Sequence, residues 1–241
     1  MMDNESPASR PAATMSVARY WRMFAFGIAR FVVFMVAVFL LAGRISYWQG
    51  WAWGGVGLLA TLIVALLFRG KRELMQERLK PGPGTKWWDR VFYALYIPGF
   101  LAVIGGAAMD AGRVHWSPPL PPAVYVASYV LLVYSYFLAF WAMWTNRFFS
   151  SVVRIQSDRG QTVVREGPYR YVRHPGYAGA IPLVISTALS LGSLWALAPA
   201  AFITVLFVVR TALEDATLQR ELPGYAEYAR EVRYRLIPGI W

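Results

Sequence analysis

Apolar runs of about twenty residues recur along the chain, set apart by short segments rich in arginine and lysine. A helix of that length spans the ~30 Å hydrocarbon core of a bilayer. Residues 24–43 form the first run, 50–68 the second, 91–109 the third and 123–146 the fourth. Arg30 interrupts the first; it either snorkels to the interface along its own stem or turns into the bundle and pairs. Gly50 and Gly54 in the second have the spacing that lets helix backbones approach closely. Pro98 predicts a kink in the third. Between Arg173 and Arg210 there is no Asp, Glu, Lys or Arg. As one helix that stretch would be about 54 Å long, well beyond the membrane core, so it must fold back. Gly192-Ser193 and Pro199 are the breakers available. They leave arms of about 16 apolar residues, with the second free to extend past Arg210. The pattern predicts an all-α fold: a polytopic membrane bundle of about six transmembrane helices that includes a C-terminal hairpin.

Charge orients this bundle. Arg69, Lys71, Arg72, Arg78, Lys80, Lys86 and Arg90 fall in one loop, which places that loop on the cytoplasmic side. Pro81-Gly-Pro-Gly84 breaks any helix there, and Trp87-Trp88 read as interfacial anchors. Residues 110–122 hold only Arg113 among basic residues and face outward, with His115 an interface residue beside Trp116. Both termini are then cytoplasmic, as in a multi-pass protein of a bacterial inner membrane. Residues 1–22 lack the apolar core of a signal peptide and read as a flexible tail. Residues 23–146 are the N-terminal transmembrane helices, and 147–241 carry the candidate chemistry.

Composition then excludes several functions. With 57% hydrophobic and 15% charged residues in 241, the chain does not suit a soluble domain. The absence of cysteine removes disulfides, thiolate nucleophiles and thiolate metal sites. The two histidines are far apart and no carboxylates cluster at metal spacing, so no metal is expected. The net charge of +11 sits in loops beside the apolar runs, which fits membrane orientation and not nucleic acid.

Two polar constellations stand out. The first is Arg165-Glu-Gly-Pro-Tyr-Arg-Tyr-Val-Arg-His-Pro-Gly-Tyr-Ala-Gly179. Gly167-Pro168 marks a turn, and Pro175 keeps His174 out of the α region, so a helix starts only at Pro175–Gly176. Free N–H groups and the helix dipole at such a start favour carboxylate or phosphate. The alternative is a basic loop carrying an interfacial aromatic belt. The second is Val208-Val-Arg-Thr-Ala-Leu-Glu-Asp-Ala-Thr-Leu218, where Arg210 and Glu214 share a helix face at the membrane boundary. An arginine buried there can pair with a carboxylate or phosphate; the alternative is a plain ion pair along the helix. After Pro223-Gly224, Tyr225, Tyr228, Val232 and Leu236 form one stripe of a predicted interfacial helix over 225–236, placed to cover the site.

The Gly-Pro-Tyr-Arg-Tyr-Val-Arg-His-Pro-Gly-Tyr segment, followed by Glu214, Gly-Tyr-Ala-Glu-Tyr228 and Arg-Leu-Ile-Pro238, resembles the isoprenylcysteine carboxyl methyltransferase family. These are integral-membrane enzymes that use S-adenosylmethionine, and the similarity covers roughly residues 140–241. The resemblance implies a cytoplasmic cofactor-binding loop and a cofactor enclosed by that loop and the end of the last helix. By motif position it assigns Gln161, Thr162, Val163, Val164, Tyr169, His174, Pro175, Gly176, Tyr177 and Glu214 to S-adenosylmethionine. The assignment of 161–164 rests on spacing back from Tyr169 alone. Arg210 is implied on the substrate, and Arg210 with Glu214 at the chemistry. The implied acceptor is a lipophilic small molecule or lipidated substrate entering from the membrane lipids, most simply a carboxylate. No segment reads a prenyl group. A second resemblance is to NADPH-dependent sterol-type C=C reductases, through His174-Pro-Gly-Tyr-Ala-Gly179 and the ending Val232–Pro238. Those enzymes are usually longer and have more spans, so six crossings favour the methyltransferase. A non-catalytic membrane scaffold is the third possibility.

Overall fold

The computed structural model describes residues 15–78 and 84–241. Its helices are α1 (Val17–Ala42), α2 (Trp48–Phe68), α3 (Arg72–Arg78), α4 (Trp87–Met109), α5 (Pro122–Thr145), α6 (Pro175–Ser190), α7 (Leu197–Glu221) and α8 (Tyr225–Glu231). No strand occurs among the described residues. Among the described residues five segments are long and apolar enough to cross a membrane: α1, α2, α4 with the π-helical turn that continues it to Val114, α5 and α7. The sixth, α6, has 16 residues, about 24 Å at helical rise, and is short for a bilayer. The chain is a multi-pass helical membrane bundle.

Local chemistry sets the helix ends. Ser16 caps α1 by accepting the Arg19 N–H at 3.2 Å. Gly43, at φ 69°, closes the same helix in the left-handed conformation. The predicted tail boundary at residue 22 therefore moves back, because helix begins at Val17. Residues 1–14, Lys80 and the Pro81-Gly-Pro part of the predicted breaker lie outside the described residues. Arg30 is exposed on the lipid-facing side of α1, with its guanidinium 5.6 Å from the Phe26 ring centre. This agrees with a snorkelling residue and not with one paired inside the bundle.

Contacts at the two ends fix how the helices alternate. At one end Tyr47 donates to the Leu191 carbonyl at 2.5 Å, and Arg113 donates to Leu40 at 2.7 Å. There Asp110 also accepts from the hydroxyls of Ser117 and Ser193. At the other end Arg78 donates to the Asn146 carbonyl at 3.2 Å, and Lys86 meets Glu221 at 2.8 Å. The α6–α7 reversal uses Gly192, at φ 85°, as the sequence predicts. Pro199 does not break the chain: it sits in the first turn of α7, where a missing N–H is harmless. The second arm is accordingly one helix of 25 residues, which carries Arg210 and Glu214 to the end opposite the reversal.

The core lies between α4, α5, α6 and α7, around Leu132, Val184, Ala188, Ile203 and Phe207. Gly50 and Gly54 serve packing, since a Cβ would meet Tyr47 at the first and Met35 at the second. The α5–α6 contact is closest at Gly179, whose Cβ would lie 2.9 Å from the Ser135 carbonyl oxygen and 3.2 Å from the Ala139 nitrogen. Backbone atoms cannot yield as a side-chain tip can. Gly179→Val is therefore expected to destabilise the fold by about 1–3 kcal/mol through overpacking. Thermal unfolding of the purified variant checks this, and an unchanged melting temperature would show that α6 can shift freely.

Candidate functional site

The histidine-proline segment folds as the sequence predicts at its two constrained points. Gly167 adopts φ +55° and opens a tight turn through Arg170. Only glycine fits there, because a Cβ would fall 2.6 Å from Thr145 Oγ1. The next helix, α6, begins at Pro175. Its anion cradle is smaller than expected, however. The Tyr177 and Ala178 N–H groups donate back to the His174 carbonyl at 3.1 and 3.0 Å. Pro175 has no N–H, so the Gly176 N–H alone remains without a partner in the first turn. The segment is also tied to the chain's last residues, with the Arg173 and His174 N–H groups donating to the Tyr234 and Arg235 carbonyls at 2.9 Å each.

Asp215, one residue past Glu214, is the electrostatic centre of this assembly. It is fully buried. Arg173 reaches it bidentately, Nε to Oδ1 at 2.7 Å and Nη2 to Oδ2 at 2.9 Å. Arg235 Nε donates at 2.9 Å, Gln219 Nε2 at 2.8 Å and the Tyr225 hydroxyl at 3.1 Å. His174 Nε2 lies 3.2 Å from Oδ1. Burial works against a charged Arg173, but its bonds to Asp215 hold the guanidinium above its ordinary value. One carboxylate on α7 thus binds the turn, α8 and the C-terminal segment together.

Beside this hub is a cavity that opens to solvent. All ten residues that the resemblance assigns to the cofactor line it: Gln161, Thr162, Val163, Val164, Tyr169, His174, Pro175, Gly176, Tyr177 and Glu214. The two polar constellations therefore meet in one chamber. Glu214 accepts a hydrogen bond from the Tyr177 hydroxyl. Burial pushes the phenols of Tyr169, Tyr225 and Tyr228 up, so all three line the chamber as neutral rings. Tyr225 and Tyr228 belong to the stripe predicted on an interfacial helix. That helix ends at Glu231, short of 236, and both tyrosines pack onto the protein's own cavity.

Arg210, which the resemblance implies on the substrate, takes a carboxylate that the sequence reading does not name. It is not part of the cavity wall. Its Nη2 lies 2.7 Å from Asp89 Oδ1 and donates to the Ser151 carbonyl at 2.9 Å. The rings of Phe92, Tyr93 and Tyr177 surround its Cζ at 4.3, 5.0 and 5.2 Å from their centres. Arg210 and Glu214 do share a helix face, but the carboxylate that takes the arginine comes from α4. Asp89 and Arg210 are both buried, and Asp89 Oδ2 also accepts the Val153 N–H at 3.0 Å. The pair joins the N-terminal helices to the loop that roofs the cavity.

That loop was not identified from the sequence. Asn146, Phe148, Phe149, Ser150, Val152, Val153, Arg154 and Gln156 line the chamber. The only local signal was an asparagine and two phenylalanines directly after an apolar span. Asn146 shows its use: its amide donates to the Tyr169 hydroxyl at 3.2 Å, and its Oδ1 takes the Phe148 N–H at 2.8 Å. Asp215 was passed over in favour of its neighbour because both carboxylates read alike in sequence.

Fold and cavity together define a helical membrane protein with a chamber at the end of the bundle where α7 finishes. Residues 128–220 match the model of the Isoprenylcysteine carboxyl methyltransferase (ICMT) family. The resemblance carried by the two motifs thus holds over that segment, and it supports a membrane methyltransferase. No curated protein matches the chain.

Proposed function

We propose that the chain is an S-adenosylmethionine-dependent methyltransferase acting on a lipophilic acceptor, most simply a carboxylate of the isoprenylcysteine type. One observation supports this above the rest: the ten residues assigned from motif position, scattered from Gln161 to Glu214, line a single cavity. The donor set suits the cofactor's parts. Gln161–Val164 and Gly176 offer backbone groups, the buried tyrosines offer flat apolar faces, and Glu214 offers a carboxylate to a cationic centre. S-adenosylmethionine held there supplies an electrophilic methyl group on a positively charged sulfur.

The rest of the work falls to the chain. Tyr177 fixes Glu214 by hydrogen bonding to it, and so sets where a cation can rest. Phe149, Val152, Val153, Leu218 and Leu222 give the wall an apolar share that suits a lipophilic acceptor and excludes water. A carboxylate acceptor is already ionised and needs no general base, so the residues' main task is to hold the reactants at near-attack distance. Arg210 acts from behind Tyr177 as a positioning residue, together with Asp89. The start of α1, the C-terminal segment and the cavity lie at one end of the bundle, which we assign to the cytoplasm from the arginine- and lysine-rich loop at 69–90.

Purified protein is expected to gain thermal stability with S-adenosylhomocysteine and none with NADPH. Glu214→Gln should weaken the S-adenosylhomocysteine effect at least about tenfold, as loss of a desolvated charge partner does. Stabilisation by NADPH alone would transfer the chain to the reductase reading. No effect from either nucleotide, with Glu214→Gln silent, would favour the scaffold.

A further inference from the structure

On the far side of the Asp215 hub, away from the cavity, lies an open groove between the end of α7, α8 and the C-terminal segment. Arg173, Gln219, Arg230, Arg233 and Arg235 line it. The carboxylate beneath it is Asp215, which is fully buried and already accepts from Arg173, Arg235, Gln219 and Tyr225. It has little left to offer the groove. The side chains of Arg230 and Arg233 are exposed and have no hydrogen-bond or ion-pair partner among the described residues. Several basic residues elsewhere at this end are matched: Arg165 with Glu231 at 2.6 Å, Arg154 with Asp158 at 2.7 Å and Lys86 with Glu221 at 2.8 Å. Uncompensated guanidinium groups around one hollow repel each other unless an anion lies between them, and their planar forks suit phosphate oxygens.

We propose that this groove binds the phosphate of an anionic membrane lipid headgroup. The flanking residues separate this source from an anion free in solution. Within the same segment as Arg233 and Arg235, Tyr234, Ile237 and Ile240 are exposed by 38%, 52% and 77%. Cations interleaved with exposed aromatic and aliphatic side chains suit the boundary between headgroups and acyl chains. Arg235 adds a direct link inward, since its Nε is held by Asp215 while its guanidinium faces the Trp241 ring 4.9 Å away. A lipid seated in the groove therefore braces the same carboxylate that anchors the histidine-proline turn.

The test is thermal unfolding of the full chain in neutral detergent, titrated with dioctanoyl-phosphatidylglycerol, dioctanoyl-phosphatidylcholine or inorganic phosphate. Phosphatidylglycerol is expected to raise the melting temperature and phosphatidylcholine to leave it unchanged. Arg230→Gln with Arg233→Gln should raise the half-saturating phosphatidylglycerol concentration more than about tenfold. Arg230→Lys with Arg233→Lys keeps the charge and should retain most of the effect. Arg69→Gln with Arg90→Gln removes the same charge elsewhere and should retain all of it. An equal response to phosphatidylcholine overturns the proposal, as does an undiminished response in the glutamine pair or an equal loss in the Arg69/Arg90 control. Inorganic phosphate reproducing the whole shift at the same concentration overturns the lipid source.

Discussion

Asp215→Asn is expected to lower the melting temperature by on the order of 10 °C and to abolish stabilisation by S-adenosylhomocysteine. The carboxylate is fully buried and receives both arginines, Arg173 on its two oxygens and Arg235 on Oδ2. Asparagine keeps the shape and one acceptor but removes the countercharge. Breaking a buried pair in this way typically costs about 3–5 kcal/mol, because the remaining charge stays desolvated. For a chain of this size each kcal/mol is worth about 2–4 °C. The cavity should fail with the fold, since Asp215 holds Arg173, His174 and Tyr225, and all three line it. Differential scanning fluorimetry of wild type and variant with and without the nucleotide reads both effects. A shift below about 2 °C would mean that water replaces the carboxylate, and that the hub is less desolvated than its burial implies.

Arg210→Met alone and Asp89→Leu alone should each be strongly destabilised, by about 3 kcal/mol or more, while the double variant regains most of the loss. The reason is asymmetric. Each single change strands a buried charge, whereas the double change removes both. The cycle also decides how Arg210 serves the reaction. If it positions the cavity wall from behind Tyr177, the double variant should bind S-adenosylhomocysteine nearly as wild type does. Its turnover should fall, because Val153 loses the Asp89 acceptor and Ser151 loses the Arg210 donor. The cycle would count against the pair if Arg210→Met kept full stability and lost only turnover. That result would return the arginine to direct contact with the acceptor. A coupling energy below about 0.5 kcal/mol would likewise show that the two residues do not depend on each other.

Much of this architecture was legible in the order of the residues. Apolar run length alone fixed the membrane class, because a continuous apolar run of about twenty residues satisfies its backbone across a bilayer as a helix, whereas a barrel strand needs only about ten. Pro175 fixed the start of α6 through its locked φ and missing N–H, and Gly192 allowed the hairpin turn because glycine takes positive φ without steric cost. The ten residues assigned from motif spacing all line one cavity, including 161–164, for which residue type gave no support.

What the order of residues could not decide was which charge meets which. Arg210 has Glu214 on its own helix face, yet it pairs with Asp89, which is distant in sequence and becomes adjacent only when α4 packs on α7. Glu214 and Asp215 are neighbours of similar chemistry. Helical phase turns one toward Tyr177 and the cavity, and the other into the arginines of the turn and the C-terminal segment. Local geometry follows from the chain because its energies are set within a few residues. Pairing among buried charges follows from packing, because desolvation penalises any charge left alone and the folded bundle decides which partner is near enough to prevent that.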